Sequence, residues 1–466
     1  MSATISPTPV PATGPGQPPA GGAPGDPAGG TPAPAAPGRR RAPRSVPGTL
    51  RLLLAGLAGA ALAWGALTAW TVSTHAAAAG DVVSASEPLS LDAQRMYQAL
   101  SDADVTATTA FLAGPNEPLA TRQRFQADIT QAATELTALK TAAAAGGGSR
   151  PLTTGLAAIS AGLPSYTGYV AQAQSYSALG FPLTGGSFMQ VASEEMHLTL
   201  LPAARTAYAQ ENARLTADSA AATGLPWVVV TVLLAVLIAV VLYRTQRWLA
   251  GRTHRMANYG LLAASLLLAV GAIWLAAAFL VARSDLQRSV AHGSAPTATL
   301  AQAGIAVQQA RGDEILNLIS RSGDATFVQN FQAVRRELGP GPGTLLSTAA
   351  AASQGGPGAG PAAAAARDAG PWYAANEQVY RLDVAAHYQA ETQLVIGTGP
   401  GSSAAGFQRL EHDLSRAVAA DQVTFRSAAT AGAGAFGGLE AGIIVASLLM
   451  AAGCAWGLSR RLAEYR

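Results

Sequence analysis

Apolar residues along this chain are gathered into four long runs that carry almost no charge, at 52–77, 226–243, 259–282 and 431–458. Each is close to or beyond the roughly 20 helical residues that cross a hydrocarbon core about 30 Å thick. Between the second and third runs lies a short connection carrying Arg244, Arg247, Arg252 and Arg255 and no acidic residue. Arg39, Arg40, Arg41, Arg44 and Arg51 precede the first run, and Arg460 and Arg461 follow the last. Basic residues flank the cytoplasmic ends of membrane spans, so the pattern predicts four transmembrane helices, both termini inside and two long excursions outside.

The pattern changes in the two excursions. Charges return, and apolar residues recur at the three- and four-residue steps of an amphipathic helix. Met189, Ala192, Met196, Leu200 and Ala203 fall on one face in the first excursion, and Phe407, Leu410, Leu414, Ala417 and Phe425 in the second. Glycine and proline breaks near 114–118, 146–151 and 180–186 cut the first excursion into four helical pieces. Its first and last pieces are expected to run on from the flanking membrane helices. The predicted fold is therefore all-α: four transmembrane helices with two extracytoplasmic up-down four-helix bundles in tandem, plus a disordered N-terminal tail.

The predicted division is a disordered cytoplasmic tail at 1–48, transmembrane helix 1 at 49–79 and extracytoplasmic helical domain 1 at 80–223. Transmembrane helix 2 at 224–243, a basic cytoplasmic loop at 244–258 and transmembrane helix 3 at 259–282 follow. Extracytoplasmic helical domain 2 at 283–430, transmembrane helix 4 at 431–458 and a cytoplasmic C-terminus at 459–466 complete it. The tail is assigned from its Pro, Ala, Gly, Ser and Thr content, which buries too little surface to offset ordering entropy. A cleaved signal peptide is the competing reading of the first run, because small residues follow it; the length of the run favours an uncleaved anchor. The Pro/Gly/Ala-rich stretch 339–370 contains a possible Ala helix but little that could anchor a core, and a mobile loop is expected around its glycines.

A weak internal echo suggests a tandem duplication. Phe125-Gln126-Ala127 is matched by Phe331-Gln332-Ala333, each following an Ala-rich helix in which Ala99 and Ala103 correspond to Ala306 and Ala310. The echo falls at equivalent places in two segments of similar length with equivalent membrane flanks.

Composition agrees with a membrane protein: 466 residues, 12% charged, mean hydropathy +0.23. The net charge of +3 does not indicate a nucleic-acid partner, because the basic residues border apolar runs instead of forming an aromatic-interleaved surface. Cys454 is the only cysteine, so no intramolecular disulfide can form.

Candidate chemistry is sparse. His75, His197, His254, His292, His387 and His412 offer no pair at metal-ligand helical spacing. The glycine string at 397–401 lacks the lysine of a phosphate-binding loop. No nucleophile elbow or kinase signature is present in its required context, so a non-enzymatic protein without metal or cofactor is expected. Gly434, Gly438 and Gly442 repeat every four residues and are candidates for helix packing in the last span. Arg244, Arg247, Arg252 and Arg255 anchor the topology and are candidates for contact with a cytoplasmic partner.

Tyr169-Val170-Ala171-Gln172-Ala173, then Gly185-Gly186-Ser187-Phe188-Met189-Gln190-Val191-Ala192-Ser193 and Leu201-Pro202-Ala203-Ala204, together with the four-span plan and the lack of a cytoplasmic output domain, resemble the GlnX-type membrane sensors. The resemblance implies an extracytoplasmic amino-acid-binding lipoprotein as outer partner and a soluble PknG-type Ser/Thr kinase inside. It carries no site residues with it. The function expected is a membrane sensor or adaptor that relays an amino-acid or solute signal to a kinase. The alternatives are an accessory subunit of a transport system and a structural cell-envelope protein.

Overall fold

A computed structural model describes residues 46–114, 117–147, 149–253, 258–320, 326–339 and 341–463. The described residues contain helices and no strand. Most of the predicted tail, Arg255 and the far C-terminus lie outside them.

Four helices are long and apolar enough to cross a membrane. The first membrane helix, α1 (Val46–Asp81), passes through a π-helical turn, Val82–Ser86, directly into α2 (Glu87–Ala113). Three more pieces complete a bundle with α2: α3 (Leu119–Ala142), α4 (Arg150–Ala178) and the returning pair α5 (Pro182–Glu195) and α6 (Leu201–Thr223). Local chemistry sets these boundaries. Ser149 caps α4 by accepting a hydrogen bond from Leu152 N at 3.3 Å. Pro182 sits in the first turn of α5, where its missing N–H group costs nothing.

The chain re-enters the apolar layer through α7 (Pro226–Thr253) and leaves it in α8 (Tyr259–Ser289). A second π-helical turn, Val290–Ser294, then leads without interruption into α9 (Ala295–Ser320). The second bundle continues with α10 (Thr326–Leu338), α11 (Leu345–Ala352), α12 (Ala359–Val384), α13 (Tyr388–Ile396) and α14 (Ser403–Gly434). The last membrane helix is α15 (Leu439–Ala463).

The two helices that enter the bundles are therefore unbroken, and the two that return are not. Gly224 and Leu225 interrupt the chain between α6 and α7, and residues 435–438 form a turn before α15 in which Gly438 takes φ +73°. A left-handed φ is open to glycine because it lacks Cβ. The expectation that the last piece of the first bundle runs on from its membrane helix is corrected by the break at 224–225.

The predicted core faces are found. Phe407, Leu410, Leu414, Ala417 and Phe425 are all buried, as are Met189, Ala192, Met196 and Leu200. Ala203 is the exception. The π-helical turn Met196–Leu200 inserts extra backbone, so the buried position after it is Ala204.

Residues 339–370 are another correction, because much of this stretch is ordered helix. Leu346, Ala349, Ala362, Ala365 and Ala369 enter the second core, where small side chains let helices approach closely. Asp421 of α14 fixes the intervening turn, accepting from Ser353 Oγ at 3.1 Å and from Gly358 N at 3.0 Å.

Within the apolar layer, α8 and α15 meet at Gly260, Gly453 and Gly457. A Cβ on Gly260 would lie 2.5 Å from Gly453 O, and Asn258 Nδ2 donates to Gly457 O at 2.9 Å. Buried Trp64 ties α1 to α7 through a bond from Nε1 to Thr231 O of 3.2 Å. The outward faces of α7 and α8 are lined by exposed Leu233, Leu237, Leu266 and Ile273, the surface that lipid covers.

Candidate functional site

The two bundles pack along α2 and α9. The first core takes in Ala301 and Ile305 of α9, and Val105 of α2 packs against the second. Each bundle also holds a buried carboxylate in a network of side-chain hydrogen bonds near this seam.

In the first bundle the carboxylate is Asp104, on the inward face of α2. Tyr166 Oη of α4 donates to its Oδ1 at 3.3 Å, and Ser193 Oγ of α5 donates to the same atom at 3.1 Å. His197 Nε2 donates to Oδ2 at 3.1 Å. His197 reaches this position from the π-helical turn, and its imidazole also faces α9: a Cβ added to Gly312 would meet it at 3.5 Å. Burial pushes the imidazole pKa down, but the bond and charge of Asp104, with the charge of Asp313, outweigh it and the net shift is upward. Burial pushes the Asp313 carboxyl up to about 6, against the pull of His197 and a bond from Asn330.

In the second bundle the carboxylate is Glu314. Ser403 Oγ donates to it at 2.6 Å, Asn376 Nδ2 at 2.9 Å, and the fully buried Arg311 forms an ion pair with it at 2.5 Å. Trp372 Nε1 in turn donates to Ser403 Oγ at 3.1 Å.

Between these centres lies a cavity of about 480 Å³, within the range of small-molecule sites. Asp102, Val105, Thr106, Thr109 and Ala113 of α2 form one wall, with Arg124 of α3 beside them. Arg311, Ile396, Ala404, Phe407 and Gln408 of the second bundle form the other. At its floor Asp102 and Arg124 belong to a polar bridge between bundles whose other members, Gln308 and Glu411, line a smaller space behind it: Gln308 Nε2 donates to Asp102 Oδ1 at 2.5 Å, and Arg124 Nη2 pairs with Glu411 at 3.4 Å. Burial and the Glu411 charge push the Asp102 carboxyl up to about 8, against Arg124. Burial likewise raises Glu411, and raises Asp128 behind Thr106 to about 6.

The residues singled out in the sequence lie elsewhere. Arg244 and Arg247 are exposed near the end of α7, Arg247 donating to Tyr243 Oη at 3.4 Å. The Arg252 side chain and all of Arg255 lie outside the described residues. Gly434, Gly438 and Gly442 do not form one stripe, because the turn at 435–438 separates them. Gly442 alone abuts another helix, at Trp274, and the other two have open space where a side chain would go. A close backbone crossing uses Gly453 and Gly457 instead, also four residues apart and legible by the same rule. Among the described residues no cluster of three or more His, Cys, Asp or Glu is placed to hold a metal.

Four apolar helices of membrane-crossing length joined to helical bundles are the architecture of a multi-pass membrane protein. Residues 78–220, from the end of α1 to the end of α6, match the model of an actinobacterial sensor domain. No curated protein and no solved structure matches the chain.

Proposed function

We propose that the protein is a sensor and adaptor that relays an extracytoplasmic amino-acid or solute signal to a cytoplasmic Ser/Thr kinase. In this reading both termini and the Arg244-to-Arg255 loop face the cytoplasm, and the two bundles are a tandem duplication facing outward. An amino-acid-binding lipoprotein engages the bundles, as in the GlnX-type sensors that the chain resembles.

The observation that carries the reading is the asymmetry of the junctions. The entering helices run unbroken for 63 residues, Arg51–Ala113, and 62 residues, Tyr259–Ser320. Helices of that length are about 95 Å long, roughly three times the hydrocarbon thickness. A small shift at the seam between α2 and α9 would be carried through the bilayer by α1 and α8 as a rigid displacement, while the breaks at 224–225 and 435–438 let the returning helices give way.

The duplication draws support from packing at equivalent positions. Ala99, Ala103, Ala306 and Ala310 are all buried. The Phe125 ring touches Tyr166 at 6.4 Å between centroids, and the Phe331 ring touches Trp372 at 5.7 Å.

The test is recovery of partners with the detergent-solubilised, tagged protein, using the binding lipoprotein and the kinase with and without amino acid. Recovery of both, with kinase recovery changed by the amino acid, is expected. Recovery of neither under either condition overturns the adaptor role. Labelling of single cysteines in the Arg244-to-Arg255 loop from outside the cell, on a Cys454→Ser background, would overturn the topology.

A further inference from the structure

The cavity between the bundles and a smaller space that shares Asp102 with it each have an unmet hydrogen-bonding group on α9. Arg311 lines the cavity and is almost fully enclosed, yet its Nε–H has no acceptor among the described residues. One turn earlier on α9, Gln308 is also buried, and its Oε1 has no donor. Leaving a buried polar atom unsatisfied costs about 1–3 kcal/mol, so two such atoms beside an open volume mark a place for a polar guest.

Charge decides what sort of guest. Asp102, Glu411 and Asp128 gather at the floor around the single guanidinium of Arg124. The other arginine at the cavity, Arg311, is committed to Glu314. The floor is therefore short of positive charge. Behind it a smaller space of about 120 Å³ shares Asp102 with the cavity and is lined by Gln308 and Glu411. Above the floor Val105, Ala113, Ile396, Ala404 and Phe407 offer apolar surface.

We propose that this cavity binds a small organic molecule bearing a primary ammonium group and, about one helical turn (roughly 5 Å) away, a hydrogen-bond acceptor. The ammonium sits at Asp102, the residue common to the two spaces, donating to its carboxylate and, from the smaller space, to Gln308 Oε1. The acceptor takes the Arg311 Nε–H, and the body of the molecule lies against Val105, Ile396 and Phe407. Amino alcohols, amino sugars and amino acids share this chemistry. The guest touches both bundles, so its binding energy goes into holding α2 against α9. The proposal rests on the sensor reading above and adds that this protein itself takes a ligand. Because the raised Asp102 carboxyl holds a proton near neutral pH, an arriving ammonium would displace it.

Isothermal titration of the full-length protein in detergent tests this, with ethanolamine, glucosamine and each proteinogenic amino acid as probes and the N-acetylated amino acids as controls. At least one ammonium probe is expected to bind saturably and to release protons, so that the heat at pH 7 differs between phosphate and Tris buffers. Its N-acetyl form should bind at least 100-fold more weakly. Asp102→Asn should weaken binding at least tenfold, and Thr109→Trp, which fills the cavity from α2, should abolish it while leaving the circular dichroism spectrum unchanged. If no probe binds, if the N-acetyl form binds equally, or if Thr109→Trp binds as well as the parent, the proposal is overturned. The pull-down of lipoprotein and kinase is then repeated with the parent protein. Recovery of both partners without probe binding leaves the relay standing and removes only the ligand site.

Discussion

Asp104 in the first bundle and Glu314 in the second are both buried carboxylates at the seam, yet they are satisfied by different means. Glu314 is paired with Arg311, a guanidinium that keeps its charge at any physiological pH, and its remaining bonds come from Ser403 and Asn376. Asp104 has no arginine. It is held by Tyr166, Ser193 and His197, and the histidine also faces Asp313 of the other bundle. The second centre is a fixed strut, whereas the first is neutralised by a group whose charge depends on protons and on the neighbouring bundle. A sensor needs both kinds: one bundle that holds its shape, and one whose packing against it can change.

The sharpest way to break this comparison is to remove the strut. Arg311→Met leaves Glu314 buried without its counter-charge, and losing one member of a buried pair costs about 3–5 kcal/mol. The second bundle should lose its cooperative thermal transition in detergent, while Arg311→Met combined with Glu314→Leu should recover most of it. A single variant as stable as the parent would show that the pair is not what fixes this bundle.

Asp104→Ala should cost less, about 1–3 kcal/mol, the penalty for leaving neutral donors without an acceptor. Hydrogen exchange should then rise in α4 and α5 while the second bundle keeps its protection. Equal loosening of both bundles would mean that the two centres act as one.

Protons test the distinction more gently. Asp102, Asp313 and His197 all hold protons more tightly in the folded protein than in the unfolded chain. The sign follows from linkage: a state that binds more protons gains stability as pH falls. The Asp313 contribution is lost as pH rises from the ordinary carboxylate range, about 4, to about 6. That of Asp102 is lost up to about 8. His197 contributes fully below the ordinary imidazole value, about 6.5, and loses its contribution as pH rises through its upward-shifted folded value. Melting temperature should therefore fall between pH 5.5 and 8.5. His197→Gln should flatten the slope. A melting temperature that climbs over the same interval would refute the assignment of the first bundle as the proton-sensitive one.

The membrane spans, the bundle faces and the amphipathic registers were legible in the sequence because each depends on periodicity alone. Phe407, Leu410 and Leu414 repeat at helical spacing and are buried for that reason. What was not legible depends on contacts between distant segments. Asp104 and His197 are 93 positions apart, and nothing local marks either as buried. The π-helical turn that moves the core position from Ala203 to Ala204 has no signature in composition. The order in 339–370 was missed because its anchor, Asp421, comes from α14, and the cavity was missed because its walls come from two bundles. The arginines and glycines chosen from sequence were local patterns, whereas the candidate site is made of residues with no local pattern.

The smallest effect concerns Gly185-Gly186, part of the motif that carries the resemblance to the sensor family. Both glycines are buried in the first turns of α5, but they have different neighbours. A Cβ on Gly185 would lie 2.6 Å from Ala173 O, a backbone atom of α4 that cannot yield without moving the helix. On Gly186 the nearest atom would be Ile319 Cγ2 of the second bundle at 3.7 Å, an ordinary packing distance. Gly185→Ala should therefore destabilise the first bundle internally. Gly186→Ala should raise stability by about 0.5–1 kcal/mol, the helical advantage of alanine over glycine, while adding a methyl contact across the seam. A gain in melting temperature from Gly186→Ala that shrinks in Ile319→Ala, leaving the part due to helix propensity, would show that the bundles are packed as described. If the gain persists there undiminished, it comes from helix propensity alone and the seam at this point is loose.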